Sequence, residues 1–508
     1  MPRSSRIVTG LAVLVVAVAT TMLGACSPAT PQESPSKARE LVIGATASPD
    51  ALDPSTNTAA AIPQALLYNV YETLVKIDNQ GQMRPLLATE WSISTDRLTY
   101  TFTLQPKAKF ASGAPVNAQA VVTSIQRIQN DPGVLPVLKN QMSVVASATA
   151  VNDTTLQVVL SRPSNSWLYN MTQTAGIIYD PTALGNLATQ PAGSGPFKLK
   201  QWRKGESLSL IRNDNYWGTP TKFDSATFRY FSDPNAENAA LLSGDLDLIT
   251  NLESPQSLSQ FSDTSRFQVL QGTTNGEVVL GFNDARAPFT DVRVRQAINY
   301  AIDRAALLQT VWGGKGLLIG SMVPPTDPWY EDLSNTYPYD PAKARDLLAQ
   351  AGYASGLKVT LRVPTRSYAT AAAQFVASQL KDVGIDVTVE ELEFPARWVD
   401  EVMKKGNYDM TIIEHVEPRD IVNWADPNYY WHYNNPEFAK LIEQADTAPA
   451  DQQVTLMKQA AKILATDAAG DFLWLMPNLI VARTDLAGIG PNQTSLSFDL
   501  TTISSRDV

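Results

Sequence analysis

Cysteine and histidine are almost missing from this chain, with one Cys and two His among 508 residues. A single thiol cannot build an intrachain disulfide framework, a zinc ribbon or an iron–sulfur cluster. Two imidazoles leave little for a His-ligated metal centre, so neither metal nor cofactor is expected. Basic charge is also short, 40 Lys+Arg against 50 Asp+Glu for a net charge of −10. The chain therefore lacks the basic face that nucleic-acid phosphates require, and no nucleic-acid partner is expected. Beyond the amino terminus no apolar run reaches the ~18 residues of a membrane-spanning helix. The remainder is ordinary: 44% hydrophobic and 18% charged residues suffice for a sizeable core. The length fits about three domains at roughly 150 residues each.

The position of the one cysteine is informative. Arg3 and Arg6 precede an apolar run over 7–19 broken only by Thr9 and Gly10, and Leu23, Gly24 and Ala25 lead to Cys26. The run is too short for ~30 Å of hydrocarbon, so it reads as a secretory signal over 1–25 and not as an anchor helix. Leu-Gly-Ala-Cys matches the bacterial lipobox, whose small residues admit the peptidase before a cysteine that carries diacylglycerol; Cys26 is the expected lipidation site. Residues 26–39, rich in Pro and Ser and without hydrophobic periodicity, read as a tether. The expected product is held at the outer face of the cytoplasmic membrane.

Along the body, helical and strand patterns alternate, which marks an α/β protein. Residues 40–44, 98–104, 156–160, 197–202, 207–212, 358–363, 385–392, 408–413 and 472–479 read as strands. Residues 62–76, 116–127, 237–243, 292–306, 341–351, 369–383, 435–447 and 452–465 read as helices. Catalytic patterns fail on inspection. Ser34-Pro-Ser-Lys37 has the S-x-x-K spacing of penicillin-binding enzymes, but Pro35 and the tether deny it the helix. Gly193-Ser-Gly195 has the wrong spacing for a nucleophile elbow. Gly313-Gly-Lys315 lacks the upstream glycine of a phosphate loop. Asp245/Asp247 and Glu390/Glu391/Glu393 read as solvated faces and not as acid/base pairs.

Several blocks carry a family resemblance. They are LLATEW at 86–91, YTFTL at 100–104 with KFASGAPV at 109–116, and GSGPF at 193–197 with RNDNYW at 212–217. PFTDVRVRQAI at 288–298 and YAIDR at 300–304 complete the set. In this order, over about 40–490, the chain resembles the extracellular solute-binding proteins of family 5, the peptide-, nickel- and oligosaccharide-binding lipoproteins of bacterial ABC importers. The resemblance implies a two-lobed periplasmic-binding-protein-like fold, the large three-domain type II variant with a hinge between lobes. Lobe I would comprise 40–80, 190–275 and 480–508, an inserted domain 81–189, and lobe II 276–479. A monomer that captures a small-molecule or peptide ligand and hands it to a permease and its ATPase is expected. Gly193 and Gly195 are expected to supply backbone angles closed to other residues, Tyr216 and Trp217 to pack as core aromatics, and Arg293, Arg295, Asp303 and Arg304 to fix a helix through ion pairs and caps.

By the same resemblance, ligand contacts come from Thr46, Ala47 and Ser48, from Tyr68 and Tyr71, and from the segment after Tyr408. Peptide-binding members often read W-x-x-D-x-x-D-P there, the first Asp meeting the peptide's amino terminus. This chain departs, with His415 at the Trp position and Glu417 or Asp420 in place of the anchoring Asp. Two readings stand for the stretch. In one, aromatics pack a loop around two incidental His. In the other, Glu414, His415, Val416, Glu417, Arg419 and Trp431 form a ligand wall, and Arg366, Tyr368 and Arg397 meet a ligand carboxylate. Two function classes remain open: a non-catalytic substrate-binding lipoprotein for a peptide-like or other polar solute (metal chelates, opines or sugars within the family), and an envelope hydrolase.

Overall fold

The structure, a computed structural model, describes residues 39–506; the signal, most of the tether and Cys26 lie outside the described residues. Among them no helix is long and apolar enough to cross a membrane. The main sheet has ten strands in the order Phe197–Arg203, Ser207–Arg212, Ser225–Tyr230, Glu40–Ala45, Leu248–Ile249, Gly470–Arg483, Phe267–Phe282, Met410–His415, Leu357–Pro364 and Ile385–Leu392. Strands of parallel type read as unbroken apolar runs because helices cover both faces. Glu40–Ala45, parallel to both of its neighbours, shows this pattern.

Phe267–Phe282 and Gly470–Arg483 are unusually long, 16 and 14 residues, and join the two halves of the sheet. Positions 267–273 pair with 483–477 and positions 277–281 with 475–470, with a register break between Thr273 and Glu277. At the break Thr274 Oγ1 donates to Met476 O (2.7 Å) and accepts from Gly276 N (2.8 Å). A Cβ at Gly276 would lie 2.3 Å from Glu414 Oε1, so a side chain there is excluded. One hydrophobic core gathers residues from 41–228 with Leu248 and a carboxyl-terminal group from Ile480 to Ile503. Two further cores are built from residues between 240 and 481. Ala88–Ile93, Thr99–Leu104, Thr155–Leu160 and Val145–Asn152 make a separate antiparallel sheet inside the first group, backed by the helix Ala118–Asn130.

Three local expectations need correction. The helix expected over 62–76 stops at Leu66, because Tyr68 takes a left-handed backbone (φ 65°) and Glu72–Thr73 pairs as a strand with Ile177–Ile178. The helix expected over 292–306 is two helices, Val292–Ala301 and Arg304–Trp312, the second capped by Asp303 accepting from Ala306 N. Gly193 and Gly195 are not at positive φ; they are small because the backbone of 69–71 passes beside them. A Cβ would meet Val70 O at 2.0 Å and Asn69 O at 2.5 Å.

Beneath that Gly-Ser-Gly turn lies Glu72, 1% exposed. Its carboxylate accepts from Ser194 Oγ (2.7 Å), Trp217 Nε1 (3.0 Å) and Tyr216 OH (3.3 Å), so both aromatics pack and donate. Burial pushes this acid up to about 7 against those hydrogen bonds. The arginines behave as structural props. Arg295 donates to three main-chain carbonyls, those of Ala468, Phe289 and Asp467. Arg304 donates to Ile319, Phe472 and Ser334 carbonyls beside Asp471.

Candidate functional site

Alternation along Met410–His415 sends Glu414 and His415 to opposite faces of the sheet, where His415 lies opposite Glu277 and Glu414 opposite Val278 of the long strand. The polar side chains therefore leave the sheet just past the register break, where its two halves meet.

On one face, His415 is 6% exposed. Its Nε2 lies 2.8 Å from Tyr430 OH and its Nδ1 3.1 Å from Asp420 Oδ2. A Tyr430 hydroxyl kept protonated by burial donates to Nε2, which leaves the ring proton on Nδ1 facing Asp420. Next to this pair, Arg419 holds a left-handed backbone (φ 62°) that turns its side chain across the gap. Its guanidinium carbon sits 3.6 Å from the Tyr169 ring and 4.7 Å from the Trp329 ring, with Nε 3.4 Å from Asp327 Oδ1. Stacking on two rings holds the cation in place while its charge balances one acid.

The acids outnumber the cations here. Glu277 (2% exposed) and Asp420 (4%) are buried, and Glu277 Oε2, Asp327 Oδ2 and Asp420 Oδ1 accept no hydrogen bond. Burial, then the charge of Asp420, pushes Glu277 well above the carboxylate range. Burial raises Asp420 against the pull of His415, and raises Asp327 to about 6 against Arg419. Buried carboxyls without donors cost free energy, and a bound ligand is one source of the missing donors. On the other face, Glu414 is pushed to about 7 by burial, Arg366 opposing and Glu253 adding to the rise. Its N–H donates to Tyr368 OH (2.9 Å). Ligating atoms of His415, Glu417 and Asp420 lie within 4.8 Å of one another, so this trio is where a metal would go. His415 already spends both ring nitrogens on Tyr430 and Asp420, and a cation would have to break that pair.

The other expected residues fall into three groups. Thr46 and Ala47 stand half-buried and exposed just past the carboxyl end of Glu40–Ala45, the end of a parallel strand where ligands gather in open α/β sheets. Ser48 is turned away to the hairpin, its Oγ accepting from Gly205 N (3.0 Å). Arg366 is exposed, 5.3 Å from the Phe394 ring, and Arg397 and Glu417 are exposed; Val416 is half-buried.

Three aromatic expectations are corrected, since these rings are core and not ligand wall. Tyr68 is buried with its hydroxyl donated to Thr172 O (2.6 Å), and Tyr71 is buried edge-on to Tyr179. Trp431 is 1% exposed and stacks on Trp424 at 3.7 Å. The second histidine, His432, lines a different cavity of 510 Å³ with Asp284, Arg295 and Asp467.

Tyr169, Glu277, Asp327 and Trp329 were not expected from the sequence. Glu277 carried a readable signal, an acid at the head of the apolar run Val278-Val-Leu280 in a buried strand. The others carried none, because each meets Arg419 from 90 or more residues away in the chain.

Comparison with known proteins agrees with this architecture. The glutathione-binding protein GsiB of Escherichia coli (strain K12) is 28% identical over 400 residues, 77% of this chain and 75% of that protein. The Salmonella typhi GsiB is 29% identical over 376 residues, 73% and 72% of the two chains. Among solved structures, the murein tripeptide binding protein MppA of Escherichia coli superposes with a TM-score of 0.79 at 25% identity, covering 92% of this chain and 99% of that one. The oligopeptide-binding protein AppA of Bacillus subtilis, in complex with a nonapeptide, does so with a TM-score of 0.78 at 22% identity, covering 92% and 100%. The envelope-hydrolase reading finds no support in these relatives. The model of the bacterial extracellular solute-binding proteins, family 5, matches residues 82–441, and the chain belongs to that family.

Proposed function

We propose that this protein captures a peptide-like solute bearing a free amino group between the two halves of its sheet and delivers it to an ABC importer. The carrying observation is the set of buried carboxyl oxygens on Glu277, Asp327 and Asp420 that accept no hydrogen bond, facing Arg419 and His415. A ligand ammonium offers the three donors and the positive charge this set lacks, while Arg419 leaves one cation for a ligand carbonyl or carboxylate. The halves act as lobes with the boundaries expected from the sequence, and the break at 274–276 is the hinge. The protein works as a lipid-anchored monomer held through Cys26, by binding alone and without turnover. GsiB, MppA and AppA, named for glutathione, a murein tripeptide and oligopeptides, support the peptide-like class.

The test is to denature purified protein, remove what it carries, refold it, and follow its melting temperature with di- and tripeptides and their N-acetylated forms. Free amino peptides should raise the melting temperature, by about 2.7 kcal/mol of stabilisation at a hundred times Kd, and acetylation should remove the effect. Equal stabilisation by both forms, or consumption of any peptide, would overturn the proposal.

A further inference from the structure

The two bodies of this protein also touch through the helix that carries Tyr169, one turn from the ring that stacks on Arg419. The short helix Asn165–Asn170 belongs with the first core through Trp167 and Leu168. The helix Pro436–Thr447 belongs with one of the two further cores through Phe438 and Ala445. Their ends meet and satisfy each other. Asp446 accepts from Ser166 N (2.8 Å), Ser164 Oγ (3.0 Å) and Arg162 Nη1 (2.6 Å). In return Asn165 Nδ2 donates to Ala445 O and Ala448 O, both at 2.8 Å, and Arg97 Nη1 donates to Thr447 O (2.6 Å). Arg97 Nη2 also holds Asn165 Oδ1 (2.7 Å), fixing which way that amide points. Each helix end thus supplies the partners that the other's terminal backbone groups would otherwise seek in water.

We infer that this reciprocal junction is a clasp that holds the closed arrangement, with Asp446 and Asn165 as positioning residues of ligand capture that touch no ligand. The inference rests on the reading of the two bodies as lobes that close over a solute. Every bond in the clasp has an equivalent in water, so it opens reversibly; made together, the bonds shift the open–closed balance. The burial of Asp446 supports this, its side chain being 17% exposed close to the exposed Glu443 and Gln444 of the same helix. Apparent affinity for any solute scales with the fraction of protein in the competent form. The clasp therefore tunes affinity for all ligands alike and leaves selectivity to the carboxyl cluster.

The experiment is single-molecule energy transfer on ligand-free mature protein carrying C26S, with dyes on K107C and K404C, exposed positions on the two bodies. Asp446→Ala and Asn165→Ala should each raise the open-to-closed ratio about tenfold. Asp446→Asn, which keeps an acceptor for Ser166 and loses the charge facing Arg162, should fall between. Lys440→Ala, exposed on the same helix, should match the unsubstituted protein. Unchanged distributions in both alanine variants, or an equal shift with Lys440→Ala, would overturn the clasp. Its failure is separable from that of the binding proposal, which stands or falls on stabilisation by free-amino peptides whatever the ligand-free distributions show.

Discussion

Two buried glutamates of this chain, Glu72 and Glu277, are 1% and 2% exposed and both sit far above the carboxylate range. Glu72 accepts from Ser194, Trp217 and Tyr216, whereas Glu277 leaves Oε2 without a donor and faces Asp420. Burial and a raised pKa are common to both, so neither identifies a site. The donors separate this pair: those of Glu72 come from the fold, whereas Glu277 Oε2 has none from it.

The comparison can be broken in order of effect. Replacing Glu72 with Ala strands three donors, one of them the buried Ser194, and opens a cavity, and should cost about 3–4 kcal/mol in denaturant unfolding. A loss under about 1 kcal/mol would mean that Glu72 is as dispensable to folding as Glu277. Glu277→Gln removes no partnered acceptor. It should leave stability within about 1 kcal/mol while weakening calorimetric affinity for a free-amino tripeptide by one to two powers of ten.

A third expectation concerns pH. Burial raises the folded-state value of Glu72 to about 7, above its ordinary value of 4.5. Folding therefore takes up a proton between these values. The stabilisation is complete below about 4.5, erodes as pH rises, and is gone once pH passes about 7. Glu72→Gln should flatten that part of the stability profile, and a slope unchanged from the parent between pH 5 and 8 would contradict the assignment. The smallest effect is a control: Arg397→Ala, exposed and outside the cluster, should change stability by less than about 0.5 kcal/mol and affinity by less than about twofold.

How much of this was legible follows from how local each signal is. The period-two run over 98–104 became Thr99–Leu104, and the helix read over 435–447 became Pro436–Thr447, because each has one buried face. The helix read over 62–76 failed because Ile62, Leu66, Val70 and Leu74 are buried for separate reasons, in a segment enclosed on all sides; apolar spacing then says nothing about period. The split at Ile302 was readable, since Asp303 two residues before Ala305-Ala306 is a helix-start signal. At the site, Glu414, His415 and Arg419 were readable as a polar cluster after a buried strand. Trp431 was misread, because an aromatic beside a polar run looks alike whether it faces a ligand or, as here, another tryptophan. Tyr169 and Trp329 clamp Arg419 from remote loops, a pairing invisible without the fold.

The first core also has a consequence for assembly. Its strand Glu40–Ala45 lies between Ser225–Tyr230 and Leu248–Ile249, and it is completed by Ile480, Leu486, Leu500 and Ile503. Asn69 bonds Phe498 O and Leu500 N, and Lys76 pairs with Asp499 at 2.8 Å. A chain emerging amino end first must carry this body unfinished until residues 480–503 arrive, whereas the cores built from 240–481 have their residues by 481. Until residues 480–503 are in place, its apolar strands lack part of the core that buries them.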